Sequence, residues 1–126
     1  MDKSVLITGA NRGLGFALVE IFVNNGYIVY ALIRSEDSRQ ALEKVGARVL
    51  IGDVSTNEVI TSIETAHIQS LDIIINNAGV AGSGEQTLDY SPDVLSKTLE
   101  TNVVGSFRVI KALASRLKQD GLIINV

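Results

Sequence analysis

The sequence predicts a doubly wound α/β fold built on five parallel strands, and three observations carry that reading. Short apolar runs alternate with longer segments of helical periodicity along the whole chain. Several of those runs are apolar on both faces, as in Tyr27-Ile28-Val29-Tyr30-Ala31-Leu32-Ile33, which suits a strand covered by helices on each side. A glycine-rich turn joins the first run to the first helical segment.

Taken in order, the first strand covers about Ser4 to Thr8. The first helix covers about Gly13 to Asn24, with Phe16, Leu18, Val19, Ile21 and Phe22 at helical spacing. Asn25-Gly26 closes it, with Gly26 free to take the left-handed conformation beyond the cap. The second strand is Tyr27 to Ile33, and Glu36 to Val45 forms a short second helix that Gly46 ends. Arg48 to Gly52 is the third strand, Asn57 to about Ala66 the third helix, and Leu71 to Ile75 the fourth strand.

A polar loop containing Gly79, Gly82 and Gly84 follows. The long fourth helix then starts with Ser91 as N-cap, Pro92 at the first helical position and Asp93 in the first turn. Leu95, Leu99, Val103, Phe107, Ile110 and Leu113 recur along it, and it is expected to end near Lys118 and Gly121. Leu122 to Val126 opens the fifth strand. Right-handed crossovers give five strands in the order 3-2-1-4-5 with four helices, in one domain spanning 1–126.

Composition narrows the function classes. The hydrophobic fraction of 46% with a single Pro supports a full core, and 126 residues support one domain. A net charge of −3 gives no reason to expect nucleic acid or an anionic membrane as partner. Cys is absent and His67 is the only His, near a helix end, so no metal site is expected. Met1-Asp2-Lys3-Ser4 runs straight into a strand without a signal peptide, and no apolar stretch reaches the roughly 18 residues of a membrane span. A soluble, cytoplasmic protein is the expectation.

The chemistry is concentrated in Val5-Leu-Ile-Thr8-Gly9-Ala-Asn11-Arg12-Gly13-Leu14-Gly15. Three glycines at Gly-x-x-x-Gly-x-Gly spacing let the backbone turn, approach a ligand and pack a helix on a strand. The helix that follows offers unpaired N–H groups and a positive dipole end, a binding place for pyrophosphate. Arg34 ends the second strand about 20 residues further on, where dinucleotide folds place their ribose reader. With Arg12 inside the turn, two guanidiniums can meet on a 2′-phosphate, so NADP(H) is expected over NAD(H). The plain alternative for Arg34 is a solvated residue at a strand end. Asp53-Val54 follows the third strand, where the carboxylate can accept from an adenine amino group or merely end the strand. Asn76-Asn77-Ala78-Gly79 can tie strand ends together and admit the cofactor, or simply turn the chain.

Thr8 to Gly15, Asp53-Val54, Asn76 to Gly79 and Asn102-Val-Val-Gly105 occur in this order, each at the end of its strand or in the fourth helix. Together they resemble the short-chain dehydrogenase/reductase family over the entire chain, including its carbonyl-reductase-like members. The resemblance implies a Rossmann-like domain that transfers hydride between nicotinamide and a carbonyl or alcohol. It implies cofactor contacts from Thr8, Gly9, Asn11, Arg12, Gly13, Leu14, Gly15, Arg34, Asp53, Val54, Asn77, Ala78 and Gly79. Asn102 matches the family's helix Asn that holds a water in the proton relay; the alternative is an Asn packed beside Gly105.

One departure matters as much as the match. The family carries a Ser after its fifth strand and a Tyr-x-x-x-Lys on the next helix. Here Tyr27, Tyr30 and Tyr90 are followed four residues on by Ala31, Arg34 and Val94. The expectation is the NADP(H)-binding portion of a reductase, truncated before the later strands and inactive alone. A non-catalytic dinucleotide-binding or regulatory module and a non-functional truncated chain are the alternatives. An apolar chain end inside a core strand favours truncation. A fifth strand and fourth helix without covering neighbours imply a homo-oligomer through both.

Overall fold

The computed structural model describes residues 2–81 and 86–126, so Gly82 and Gly84 of the polar loop lie outside the described residues. Strands β1 (Ser4–Thr8), β2 (Ile28–Ile33), β3 (Arg48–Ile51), β4 (Leu71–Asn76) and β5 (Leu117–Asn125) form one parallel sheet in the order β3-β2-β1-β4-β5. Helices α1 (Gly13–Asn24), α2 (Arg39–Val45), α3 (Glu58–Thr65), α4 (Pro92–Leu99) and α5 (Gly105–Leu113) cover it. A π-helical segment, Glu100–Val104, joins α4 and α5 into one continuous run, the long fourth helix expected from sequence.

Alternation along the strands divides the core into two layers. Leu6, Leu32, Leu50 and Ile74 face α3 and α5, where Val59, Ile63, Val109 and Leu113 are buried. Val5, Ile7, Val29 and Ala31 face the other way, onto Val19 of α1 and Leu42 of α2. β1, β2 and β4 are apolar on both sides because both sides are covered, whereas β5 is largely exposed.

The helix ends follow from local chemistry. After α1, Gly26 (φ 82°) and Tyr27 donate to the carbonyls of Val23 and Phe22 at 3.0 Å, and the Phe22 and Tyr27 rings meet edge to face at 4.9 Å. Ser91 Oγ accepts the N–H of Val94 at 3.2 Å, as the N-cap role requires. His67 takes a left-handed conformation (φ 51°) just past α3, exposed and donating its N–H to Glu64 O, so it is a helix-terminating residue.

The expected second helix opens as a 3-10 turn, Glu36–Ser38, before α2, and a larger difference from the sequence reading lies before β5. The helix stops at Leu113 and a 3-10 turn, Ala114–Arg116, leads into β5 at Leu117, not Leu122. Leu117 pairs with Leu71 and Leu122 with Ile73, so Lys118 to Gly121 bulge between them. The bulge is held from afar: Lys118 Nζ reaches the Asp72 carboxylate at 3.0 and 3.1 Å, and Ser4 N–H donates to it at 2.9 Å. The hydrogen bond from Ser4, then that from Lys118, holds the Asp72 carboxyl below its usual range. Arg116 to Gln119 are good helix formers locally, and this tertiary tie overrides them.

Candidate functional site

The carboxyl ends of the strands meet a cleft of about 430 Å³ beside β1 and β4, where successive connections leave in opposite directions. Its floor is two backbone turns pressed together. Thr8, buried at the end of β1, accepts the N–H groups of Asn77 and Ala78 on one hydroxyl, at 3.0 and 2.8 Å. Asn77 Nδ2 donates back to Gly9 O at 3.2 Å. Asn76 Nδ2 meanwhile donates to Asn125 Oδ1 at 3.0 Å, so the adjacent Asn pair ties β4 to β1 on one side and to β5 on the other.

That closeness dictates the glycines. A Cβ on Gly9 (φ 62°) would stand 2.9 Å from Ala78 Cα, and one on Gly15 would overlap the Gly9 carbonyl and lie 2.6 Å from Asn77 Nδ2. Gly13 differs: its φ is 56°, yet nothing stands near its Cβ position. Gly9 and Gly15 serve packing, while Gly13 gives the backbone a left-handed turn beside open space. Arg12, at the N-cap of α1, makes no side-chain cap, and the first turn carries no acid. The N–H groups of that turn remain available to an anion.

The cleft gathers residues from five segments: Gly9, Asn11, Arg12 and Gly13; Leu32 to Ser35 with Asp37; Gly52 to Val54; Asn77 to Val80; and Thr101. Of the residues expected from sequence, Gly9, Asn11, Arg12, Gly13, Arg34, Asp53, Val54, Asn77, Ala78 and Gly79 therefore come together. Thr8 and Gly15 lie beneath the cleft as supports, and Leu14 is exposed outside it. Asn102 stands behind Val80, and its amide exchanges two hydrogen bonds with Val80's backbone. The notch at Gly105 is filled by Val54, not by Asn102.

Arg12 and Arg34 are both exposed, and among the described residues neither makes an ion pair. The acid two residues beyond Arg34 is already engaged. Glu36 takes a forked contact from Arg39 at 2.6 and 3.2 Å, which holds its carboxyl below the usual range. Asp37 and Asp53 are the acids that line the cleft. Asp53 Oδ1 accepts both the N–H and the hydroxyl of Ser55, at 2.9 and 2.7 Å, which fixes the carboxylate at the end of β3.

Sequence reasoning missed Leu32, Ile33, Ser35, Asp37, Gly52, Val80 and Thr101 in the lining. Thr101 adjoins Asn102 and Val80 adjoins Gly79, so adjacency to known motif residues was the available signal. Arg108 was also missed. It donates to Val54 O at 3.1 Å and pairs with Glu100 behind the cleft wall.

A family model described as short chain dehydrogenase matches residues 3–126. The chain belongs to the short-chain dehydrogenase family. It is 32% identical over 130 residues to L-fucose dehydrogenase of Rattus norvegicus, covering 98% of this chain and 48% of that protein. It is 31% identical over 133 residues to 3alpha-hydroxysteroid dehydrogenase of Mediterraneibacter gnavus, covering 95% and 52%. Among solved structures, a short-chain dehydrogenase/reductase from Burkholderia multivorans with bound NADP superposes with a TM-score of 0.89 at 26% identity, covering 100% of this chain and 58% of that one. This short-chain dehydrogenase sequence thus spans about half the length of the curated relatives it matches. No helix among the described residues is long and apolar enough to cross a membrane.

Proposed function

We propose that this chain is the NADP(H)-binding portion of a short-chain oxidoreductase acting on a carbonyl or alcohol in the cytoplasm. The observation that carries the proposal is the placement of Arg12 and Arg34, without an ion pair among the described residues, on one cleft with the uncapped start of α1. Gly9, Gly13 and the first-turn N–H groups suit a pyrophosphate, and the two guanidiniums suit a 2′-phosphate. Asp53, Val54, Ala78 and Gly79 line the rest of the cleft. Bound there, the nicotinamide supplies the hydride or accepts it, while the protein positions and electrostatically tunes the reacting groups.

Asn102 is our candidate for the proton relay. Val80 fixes its side chain, and its own carbonyl, inside the π segment, accepts from Ser106 Oγ at 3.2 Å. The chain has no Tyr-x-x-x-Lys to supply a phenol acid with a lowered pKa. The 126-residue chain is accordingly expected to bind cofactor without turning over aldehydes or ketones. Association of like chains through β5 and the α4–α5 run is part of this reading.

Calorimetric titration of the chain with NADPH and NADH tests it. NADPH is expected to bind more tightly, and Arg34→Ala to erase most of the difference. Equal affinities in the wild-type chain, or a preference that survives Arg34→Ala, would overturn the assignment.

A further inference from the structure

Arg108 lies outside the cleft, yet its guanidinium joins two parts of the wall. Nη1 donates to the Val54 carbonyl at 3.1 Å, and Nη2 pairs with Glu100. The side chain is only 18% exposed. Val54 and Thr101 both line the cleft, and Thr101 adjoins Glu100 in the chain. Val54 is further seated in the notch at Gly105, where a Cβ would stand 2.9 Å from its Cγ2 and 3.0 Å from its carbonyl oxygen.

The π segment makes this arrangement possible. In an unbroken α-helix, residues eight apart point about 80° away from each other. Gly105 N–H bonds to Glu100 O, five residues back, so the π segment widens the helix by one residue. Glu100 and Arg108 then stack as residues seven apart do in an α-helix. The widened turn presents Thr101 to the cleft, and α5, one turn further on, carries the arginine that grips Val54.

We infer that the Glu100–Arg108 pair is a positioning clamp that sets affinity for the adenosine half of the dinucleotide without touching it. This rests on the cofactor reading above. In doubly wound folds the adenosine ribose is read at the end of β2, where Arg34 stands, next to Asp53 and Val54 at the end of β3. Arg108 acts on the cofactor through Val54 and through the helix that carries Thr101. Because it meets no 2′-phosphate, its loss must weaken NADPH and NADH by the same factor. Arg34, a direct phosphate ligand in this reading, must instead change their ratio.

The test is calorimetry on the wild-type chain, Arg108→Met, Arg108→Lys, Glu100→Gln and Val29→Ala. Val29 is buried on β2 in the opposite core layer, away from the clamp, so its variant supplies a control that loses thermal stability. Arg108→Met is expected to weaken NADPH, NADH and 2′,5′-ADP each by about tenfold, with the NADPH-to-NADH ratio unchanged. Glu100→Gln should lose less, and Val29→Ala should stay within about twofold of wild type. Lysine reaches one partner of the two, so Arg108→Lys should fall between wild type and methionine, and it decides the matter if Arg108→Met does not fold. Affinities within about twofold of wild type in the Arg108 variants, or an equal loss in Val29→Ala, would overturn the clamp. A wild-type chain that binds neither dinucleotide would overturn the cofactor reading instead.

Discussion

Asn102 pairs with Val80 as one strand pairs with another: Oδ1 accepts the Val80 N–H at 2.8 Å, and Nδ2 donates to the Val80 carbonyl at 2.8 Å. Only a side chain with a donor and an acceptor side by side can do this. The contact joins the π segment to the turn after β4, so the helical widening and the cleft loop hold one another in place. Gly79 next door needs to be small, since a Cβ there would sit 3.3 Å from Asn102 Oδ1.

Asn102→Asp tests that pair directly. The carboxylate can still accept the Val80 N–H, but it offers no donor and sets a charge against the Val80 carbonyl. A loss of about 1 kcal/mol is expected, with amide exchange at Gly79 and Val80 faster by about tenfold. Exchange unchanged from wild type would show that other contacts hold this turn.

Thr8 carries a larger share, because one buried hydroxyl satisfies two N–H groups from the neighbouring turn. Thr8→Val keeps the shape and leaves both donors without an acceptor. It should cost about 2–3 kcal/mol by urea denaturation, against about 1 kcal/mol or less for Thr8→Ser, which keeps the oxygen. Similar costs for the two would mean that the methyl group, not the acceptor, matters.

The glycines of the first turn should separate in the same assay. Gly15→Ala forces a methyl onto the Gly9 carbonyl and the Asn77 amide, and about 3 kcal/mol or more should be lost. Gly13→Ala meets no atom and carries only the penalty of a positive φ, about 1–2 kcal/mol. If cofactor backbone contact is what Gly13 serves, its variant should lose more affinity than stability. A Gly15→Ala chain as stable as Gly13→Ala would contradict the packing described here.

The sheet order and the glycine turn were legible because their signals are local: apolar runs, caps, and glycines at fixed spacing. The π segment was not. Leu95, Leu99, Val103 and Phe107 repeat every four residues, which passes for helical periodicity. An unbroken α-helix would rotate such a row by about 40° at each step. Steady fours were the one trace of a wider turn. The end of that helix was illegible for another reason. Asp72 and Lys118 are 46 residues apart, and Arg108 and Val54 are 54 apart, so no window of sequence shows either contact.

Asp72 gives the tie at the start of β5 a pH signature. Its carboxyl is held below the ordinary value of 3.8, first by the Ser4 N–H and then by Lys118. A lowered folded pKa means stability that is present above the ordinary value and is lost as pH falls through the folded one. Asp72→Asn should therefore be less stable than wild type at pH 7, and the gap should close as pH drops below about 3.8 toward the depressed value. Urea midpoints from pH 7 down to 2.5 measure it. A gap that persists at the acid end would assign the loss to geometry rather than charge.

The last prediction concerns the outer face of the α4–α5 run. Leu95, Leu99, Val103 and Phe107 are 47–60% exposed there, and Leu122, Ile123 and Ile124 are exposed on β5, the edge strand of the sheet among the described residues. A row of large apolar groups on one helical face gains stability chiefly by meeting another such row. An edge strand also offers unpaired backbone groups to a second chain. A two-fold pairing that meets the same row on a second copy needs no further partner. Light scattering across a hundredfold concentration range should show a dimer or larger species. Phe107→Glu and Val103→Glu place a charge in the middle of the row and should shift it to monomer, with little effect on folding because both sites are exposed. If the glutamate variants remain associated while Ile123→Lys dissociates, the strand edge is the interface. A wild-type chain that is monomeric throughout would remove self-association from the proposed function.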